Sequence, residues 1–223
     1  MKKILPFQLI EKTDIEVSEK IQSAYNQLFF GNADDERICF DHHSFKYIVD
    51  IGHSDVRSEG MSYGMYISAK LGQRETFHAL WNFTKRYLRN DRGDYAPYFA
   101  WQVGLPNNEH DTFYKMDRGA APDGEEYIAA ALLIATKKFD CPEYKREAVE
   151  LLKQMLYKKT RGKVRAMFDT DRAMVRFSPM EGNNFTDPSY HTLAFYRLFA
   201  EATKNSMWNR IYKKSIAYLV SAK

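Results

Sequence analysis

Two kinds of helix alternate along this chain, and that alternation limits the folds open to it. Tyr127 to Thr136 reads YIAAALLIAT, apolar almost all round, and Tyr190 to Ala200 (YHTLAFYRLFA) is nearly so. A helix of this kind has to be enclosed by neighbours on every side. Glu143 to Lys159 instead carries one apolar stripe, Ala148, Leu151, Leu152 and Met155, opposite a face of Lys, Arg and Glu, as a helix with one side in water does. The periodicity predicts helices over 14–29, 58–71, 74–89, 124–138, 143–158, 188–204 and 207–220. The fold class expected is all-α, with inner helices alternating with outer ones in a single domain.

Connections sort by length. Turns from inner to outer helices are short: Leu71-Gly72-Gln73-Arg74, Phe139-Asp140-Cys141-Pro142 and Thr203-Lys204-Asn205-Ser206. Pro142 suits a first helical position, and Asn205 or Ser206 can cap the helix that follows. The return connections, 90–122 and 159–187, are long and rich in Gly, Pro, Asn and aromatic residues. In the second, Val164–Phe168 and Ala173–Phe177 flank Asp169-Thr170-Asp171-Arg172 as a small β-hairpin would. Long loops at one end and tight turns at the other predict a functional face at the N-termini of the inner helices.

Composition narrows the function classes. With 223 residues, 44% of them hydrophobic, the chain can bury a sizeable core. Lys137, Lys138, Lys145, Lys158 and Lys159 fall on outer helix faces, and no basic stripe interleaves with stacking aromatics, which argues against nucleic-acid binding. Cys39 and Cys141 have no metal spacing, and His42, His43 and His53 lack an i, i+4 pair on one helix, so neither a metal nor another cofactor is expected. The apolar run after Lys2-Lys3 is broken at once by Pro6, Gln8 and Glu11, unlike a secretory leader. No stretch approaches the length of a membrane span, and a cytoplasmic location is the expectation.

Three polar clusters precede three helices. In Asp55 to Met65 (DVRSEGMSYGM), Glu59 stands among small and aromatic residues at a helix entrance, where its carboxyl can project into a cavity. Read locally, it is equally a first-turn acid after a capping Ser58, stabilised by the helix dipole. Gly60, Ser62 and Gly64 weaken the helix and point to close approach of a partner or a sugar. Asp123-Gly124-Glu125-Glu126 has the pattern of a capping box, Asp123 capping and Glu126 reaching back. The third cluster is Thr186-Asp187-Pro188-Ser189-Tyr190-His191. Trp101, after Tyr95, Tyr98 and Phe99, can be a sugar-stacking platform or a plug closing the loop.

Together with Asp50-Ile51-Gly52 and Tyr98-Phe99-Ala100-Trp101, these blocks run in family order, and from about Phe30 to about Tyr218 the chain resembles glycoside hydrolase family 8. Within it, the likeness is greater to the reducing-end xylose-releasing exo-oligoxylanases than to the endoglucanases, which place a stacking Trp where this chain has Met180-Glu181-Gly182. The resemblance implies an (α/α)6 barrel and inverting hydrolysis of xylo-oligosaccharides. It makes Glu59 the general acid and gives Asp123 the sugar hydroxyls at subsite −1 and the positioning of water. Trp101 becomes a stacking platform and Tyr190 a hydroxyl near that water, with Arg57 and His191 supporting the site.

Inversion also needs a base, roughly 6.5–9.5 Å from the acid. The family's base is an Asp before Ala and Arg on a later inner helix. No such motif follows Tyr190, and Asp187 stands where endoglucanase members carry Asn. The expectation is therefore an incomplete barrel of about seven helices, the N-terminal half to two-thirds of the family's domain. Apolar surface should be open where later helices would pack, driving association, and hydrolysis should be absent or slight. A carbohydrate-binding protein without turnover and an endo-acting xylanase or glucanase are the alternatives.

Overall fold

The computed structural model describes Phe7 and residues 10–221; most of the opening segment weighed as a leader lies outside them. Among the described residues seven α-helices follow the expected order: α1 (Asp14–Phe30), α2 (Ser58–Leu71), α3 (Arg74–Phe83), α4 (Pro122–Phe139), α5 (Pro142–Tyr157), α6 (Leu193–Thr203) and α7 (Met207–Ser221). Helix α3 continues into a π-helical turn, Thr84–Leu88, so the predicted 74–89 segment is one helix with a change of winding.

The inner helices α2, α4 and α6 end alike. Gly72 (φ 75°), Asp140 (φ 49°) and Lys204 (φ 56°) each take the left-handed conformation and return a backbone N–H to the last turn, which satisfies carbonyls that a helix end leaves open. The outer helix then begins within two or three residues. Pro142 occupies the first position of α5, and Asn205 Oδ1 accepts from the Met207 amide at 3.0 Å.

At the other end, two expectations fail. Pro122, not Asp123, opens α4, because proline is preorganised for the first helical position and has no N–H to lose. Ala121 is the N-cap, and no side-chain capping bond forms. The capping box at Asp123 and Glu126 is therefore absent. The predicted 188–204 helix is split: Asp187 Oδ1 accepts from the Ser189 amide and hydroxyl at 2.8 and 2.7 Å, closing a 3-10 turn over Pro188–Tyr190. Helix α6 starts only after Thr192.

Three small sheets sit in the long connections. Strands β1 (Cys39–His42) and β2 (Phe45–Ile48) form a hairpin with Cys39 opposite Ile48. Strands β3 (Asp55–Arg57), β4 (Gln102–Gly104) and β5 (Tyr114–Asp117) are antiparallel in that order, with Arg57 opposite Gln102. The expected hairpin is present but shorter, β6 (Phe168–Asp169) against β7 (Met174–Val175).

Helix α4 lies at the centre of the core, between α2 and α6 with α5 behind it. Ile128, Ala129, Ala130, Ala131 and Leu132 are fully buried, as their unbroken apolar run requires. Helix α6 differs. It buries Phe195, Tyr196 and Phe199 but leaves Ala194, Arg197 and Glu201 exposed, so it is not enclosed as expected. On α2, Tyr63 and Ile67, one turn apart, are also exposed. The close approach expected at Gly64 is to β2: a Cβ there would stand 2.8 Å from Ile48 Cγ1.

Candidate active site

The start of α2 is built around Trp101. The Ser58 amide donates to the Trp101 carbonyl at 3.0 Å, and the Trp101 amide donates to Gly119 O at 2.8 Å. Arg57 lies over the indole, its guanidinium carbon 5.4 Å from the ring centroid. Its Nε is 3.1 Å from both Asp50 Oδ2 and Asp55 Oδ1, and Asp55 accepts from Gln102 Nε2 at 2.6 Å. Asp50 itself closes a turn by accepting from the Gly52 and His53 amides at 2.9 and 3.1 Å. The Asp50-Ile51-Gly52 block and Arg57 thus form one ion-paired support against the Trp101 ring.

Glu59 is the second residue of α2. No side chain caps this helix; the Ser58 hydroxyl donates to Glu59 Oε2 at 3.0 Å instead. The start of α4 lies against it, since a Cβ on Gly124 would meet Ser58 Oγ at 2.7 Å. That contact sets Asp123 beside Glu59. Burial first, and then the Glu59 charge, push the Asp123 carboxyl up to about 6. Asp123 Oδ1 is buried with no hydrogen-bond partner among the described residues.

Aromatic rings enclose the carboxyl pair. Tyr63 follows Glu59 by four residues and Tyr127 follows Asp123 by four, which puts each ring one turn below its acid. The two rings meet edge to face, 4.7 Å between centroids at 79°, and Tyr127 meets Phe195 of α6 at 4.8 Å. Burial, then Asp123, Tyr127 and Glu59, raise the Tyr63 hydroxyl to about 12. The Tyr190 hydroxyl is raised by burial and then by Asp123 and Glu59, which sets it near the same carboxyl pair. Its ring stacks on Phe177 (5.6 Å, 6°), which stacks in turn on Phe185 (4.9 Å, 21°).

Of the residues singled out by sequence, Glu59, Trp101, Asp123, Tyr190 and Arg57 gather at this end. His191 is turned away, although it adjoins Tyr190. It is buried, its Nδ1 is 2.7 Å from Ser215 Oγ on α7, and its Nε2 is 2.9 Å from Thr186 Oγ1. Both ring nitrogens are occupied, and burial lowers its pKa to about 4. His191 is a neutral strut between the loop and α7, not a sugar contact.

Glu126 does not reach back to cap α4, and Glu125, to which the sequence reading gave no role, lies beside it. Glu125 and Glu126 are buried, and burial raises both well above the usual carboxylate range. Glu125 Oε1 accepts from the Phe99 amide at 2.8 Å. Glu126 accepts from the Thr192 hydroxyl and lies 3.3 Å from the Tyr196 hydroxyl. The available signal was the pair of acids entering a helix that has no polar face. No group of three or more His, Cys, Asp or Glu side chains suited to a metal occurs among the described residues.

Inner and outer helices in alternating layers, with a carboxyl pair and sugar-sized aromatic faces where the inner helices begin, define part of a carbohydrate-active (α/α)6 barrel. The chain belongs to the glycosyl hydrolases family 8, whose sequence model matches residues 49–223. It is 33% identical over 224 residues to the reducing-end xylose-releasing exo-oligoxylanase Rex8A of Paenibacillus barcinonensis, covering 97% of this chain and 57% of that one. Endoglucanase C of Ruminiclostridium cellulolyticum is 30% identical over 164 residues, 72% of this chain and 32% of the relative. Among solved structures, a family 8 protein of Teredinibacter turnerae in complex with xylobiose superposes with a TM-score of 0.88 at 30% identity, covering 97% of this chain and 59% of that one. The chain therefore spans a little over half the length of the oligoxylanases it matches.

Proposed function

We propose that this cleft binds xylo-oligosaccharides and forms one side of an inverting glycosidase site that releases xylose from the reducing end. Glu59 is the general acid in this reading. Asp123 takes sugar hydroxyls at subsite −1 and helps place the water, Trp101 is the stacking platform, and the Tyr190 hydroxyl approaches the water from the opposite loop. Arg57 holds Trp101 from one face of its ring.

The observation that carries the proposal is Asp123 Oδ1. A buried acceptor without a donor costs free energy, and here it lies beside a second carboxyl, with the Tyr63 and Tyr190 hydroxyls near enough to feel its charge. A sugar hydroxyl supplies the missing donor. The preference for xylose units follows the comparisons: matches to the oligoxylanases extend over 93–97% of the chain, against 72% for endoglucanase C.

Inversion needs a carboxylate on the far face of the sugar. Between His191 and Lys223 the sequence offers only Glu201, exposed near the turn end of α6. The base is accordingly assigned to polypeptide outside these 223 residues, and this chain alone is expected to bind substrate with at most trace hydrolysis. Calorimetry with xylotriose and cellotriose, alongside a xylose-release assay, tests both halves. Equal affinity for the two sugars would overturn the xylose preference. Robust xylose release, abolished by Glu59→Gln, would show that another carboxylate of this chain is the base.

A further inference from the structure

The first five residues of α4 present three carboxyls, and each leaves the helix in a different direction. Successive helical residues turn by about 100°, so Glu125 points roughly opposite to Asp123, and Glu126 diverges from Asp123 by about 60°. Asp123 enters the cleft. Glu125 reaches the backbone of Phe99, two residues before Trp101. Glu126 reaches Thr192 and Tyr196, and the Tyr196 hydroxyl also lies 3.1 Å from the Tyr190 carbonyl.

We propose that Glu125 and Glu126 are positioning residues that set the two aromatic walls of the cleft relative to Asp123. Glu126 fixes Tyr190 through Thr192 and Tyr196, and Glu125 fixes Trp101 through Phe99. This rests on the sugar-binding reading of Trp101 and Tyr190 given above.

Proton counting supports the arrangement. Tyr196 has one hydroxyl proton and two acceptors within reach, Glu126 Oε1 and the Tyr190 carbonyl. With Glu126 neutral, as its burial favours, the carboxyl donates to Tyr196 and Tyr196 donates to Tyr190. The second oxygen of Glu126 accepts from Thr192. Every proton then has one acceptor, and the line of bonds runs from the start of α4 to the cleft tyrosine. The same hydroxyl of Thr192 is thereby withheld from capping α6, which has no side-chain cap. Neutral glutamine can reproduce these bonds at either position, whereas leucine removes them at similar volume.

The variants to compare are Glu125→Gln, Glu125→Leu, Glu126→Gln, Glu126→Leu and Tyr196→Phe. Xylotriose affinity is read by calorimetry, and local order by amide hydrogen exchange over 97–102 and 187–193. Each Leu variant is expected to lose about tenfold in affinity, the scale of one buried hydrogen bond, and to lose exchange protection at its own wall only. Each Gln variant should stay within about threefold of the parent. Tyr196→Phe, which removes the one hydroxyl bridging Glu126 to Tyr190 and leaves Thr192 bonded to Glu126, should weaken binding and unprotect 187–193 but not 97–102.

Unchanged binding and exchange in the Leu variants would overturn the proposal, as would Gln variants as impaired as Leu. If the Leu variants do not fold, Tyr196→Phe decides the Glu126 arm and Glu125→Gln the other: parental behaviour of Tyr196→Phe, or a lost 97–102 wall in Glu125→Gln, refutes that arm. Failure of the parent protein to bind xylotriose would refute the sugar-binding reading, while the exchange pattern would still report whether the two acids brace these segments.

Discussion

The two ends of the inner helices follow opposite rules. At the turn end, α2, α4 and α6 close identically, each with a left-handed residue that satisfies its own last turn. At the loop end no two begin alike, and none has a side-chain cap. The hydroxyls best placed to cap, Ser58 and Thr192, are bonded instead to Glu59 and Glu126. One end spends its polar groups on finishing helices, and the other on orienting carboxyls. Stability and chemistry should therefore separate along the helix axes.

The largest effect that could break this separation is at Glu59. In a polypeptide carrying this cleft together with its base, Glu59→Gln should reduce hydrolysis of xylo-oligosaccharides by roughly 10²–10⁴-fold, with the unfolding temperature unchanged. Comparable loss of stability would show that the carboxyl is structural. The reverse pattern is expected at the turn end, where Phe77 is fully buried and packs on Phe139 and Tyr144. Phe77→Ala should cost about 3–5 kcal/mol in denaturant unfolding and leave xylotriose affinity intact while the protein remains folded.

Asp123 sharpens the comparison through pH. Its carboxyl is raised in the folded protein from 3.8 to about 6, so the folded state resists an ionisation that the unfolded chain accepts. Below the lower value both states are protonated and the residue costs nothing. As pH rises from there through about 6, stability is lost, and the loss is then constant. Asp123→Asn should raise the unfolding temperature at neutral pH and leave it unchanged below pH about 3.8, while weakening sugar binding. A stability gain equal at both pH values would contradict this.

The smallest effect belongs to Gly72. Its φ of 75° is costly for a residue with a Cβ, and Gly72→Ala should destabilise by about 1 kcal/mol, with the cleft unaffected.

Legibility in the sequence follows the same division. Helix positions and tight turns were readable because apolar periodicity over three or more turns, with Pro142 and Asn205 at helix starts, leaves little freedom. Glu59, Asp123, Trp101 and Tyr190 stood out through the family resemblance, because read locally Glu59 and Asp123 were as well explained as helix-start acids and Tyr190 as part of a helix. The roles of Glu125 and Glu126 were not, because a capping box is a local pattern and Pro122 moved the helix frame under it. His191 adjoins Tyr190 in sequence, and only the 3-10 turn sends the two side chains apart. Strands β1 to β5 have three or four residues each, too few for alternation to stand out.

The π-helical turn at Thr84–Leu88 stores one residue more than an α-turn would, with the Arg89 amide reaching back to Thr84 at 3.2 Å. Just beyond it the chain is pinned twice, Ala100 to the Leu88 carbonyl and Asn90 to the Tyr98 carbonyl, both at 2.8 Å. Deleting one residue within 84–88 would let α3 wind regularly but rotate Leu88 and Asn90 by about 100°, away from both pins. A change in chain length would then be silent in the helix that absorbs it and would displace Trp101 on the far side of the loop. That makes this turn the molecule's register mark, the point where insertions and deletions become changes of binding rather than of fold.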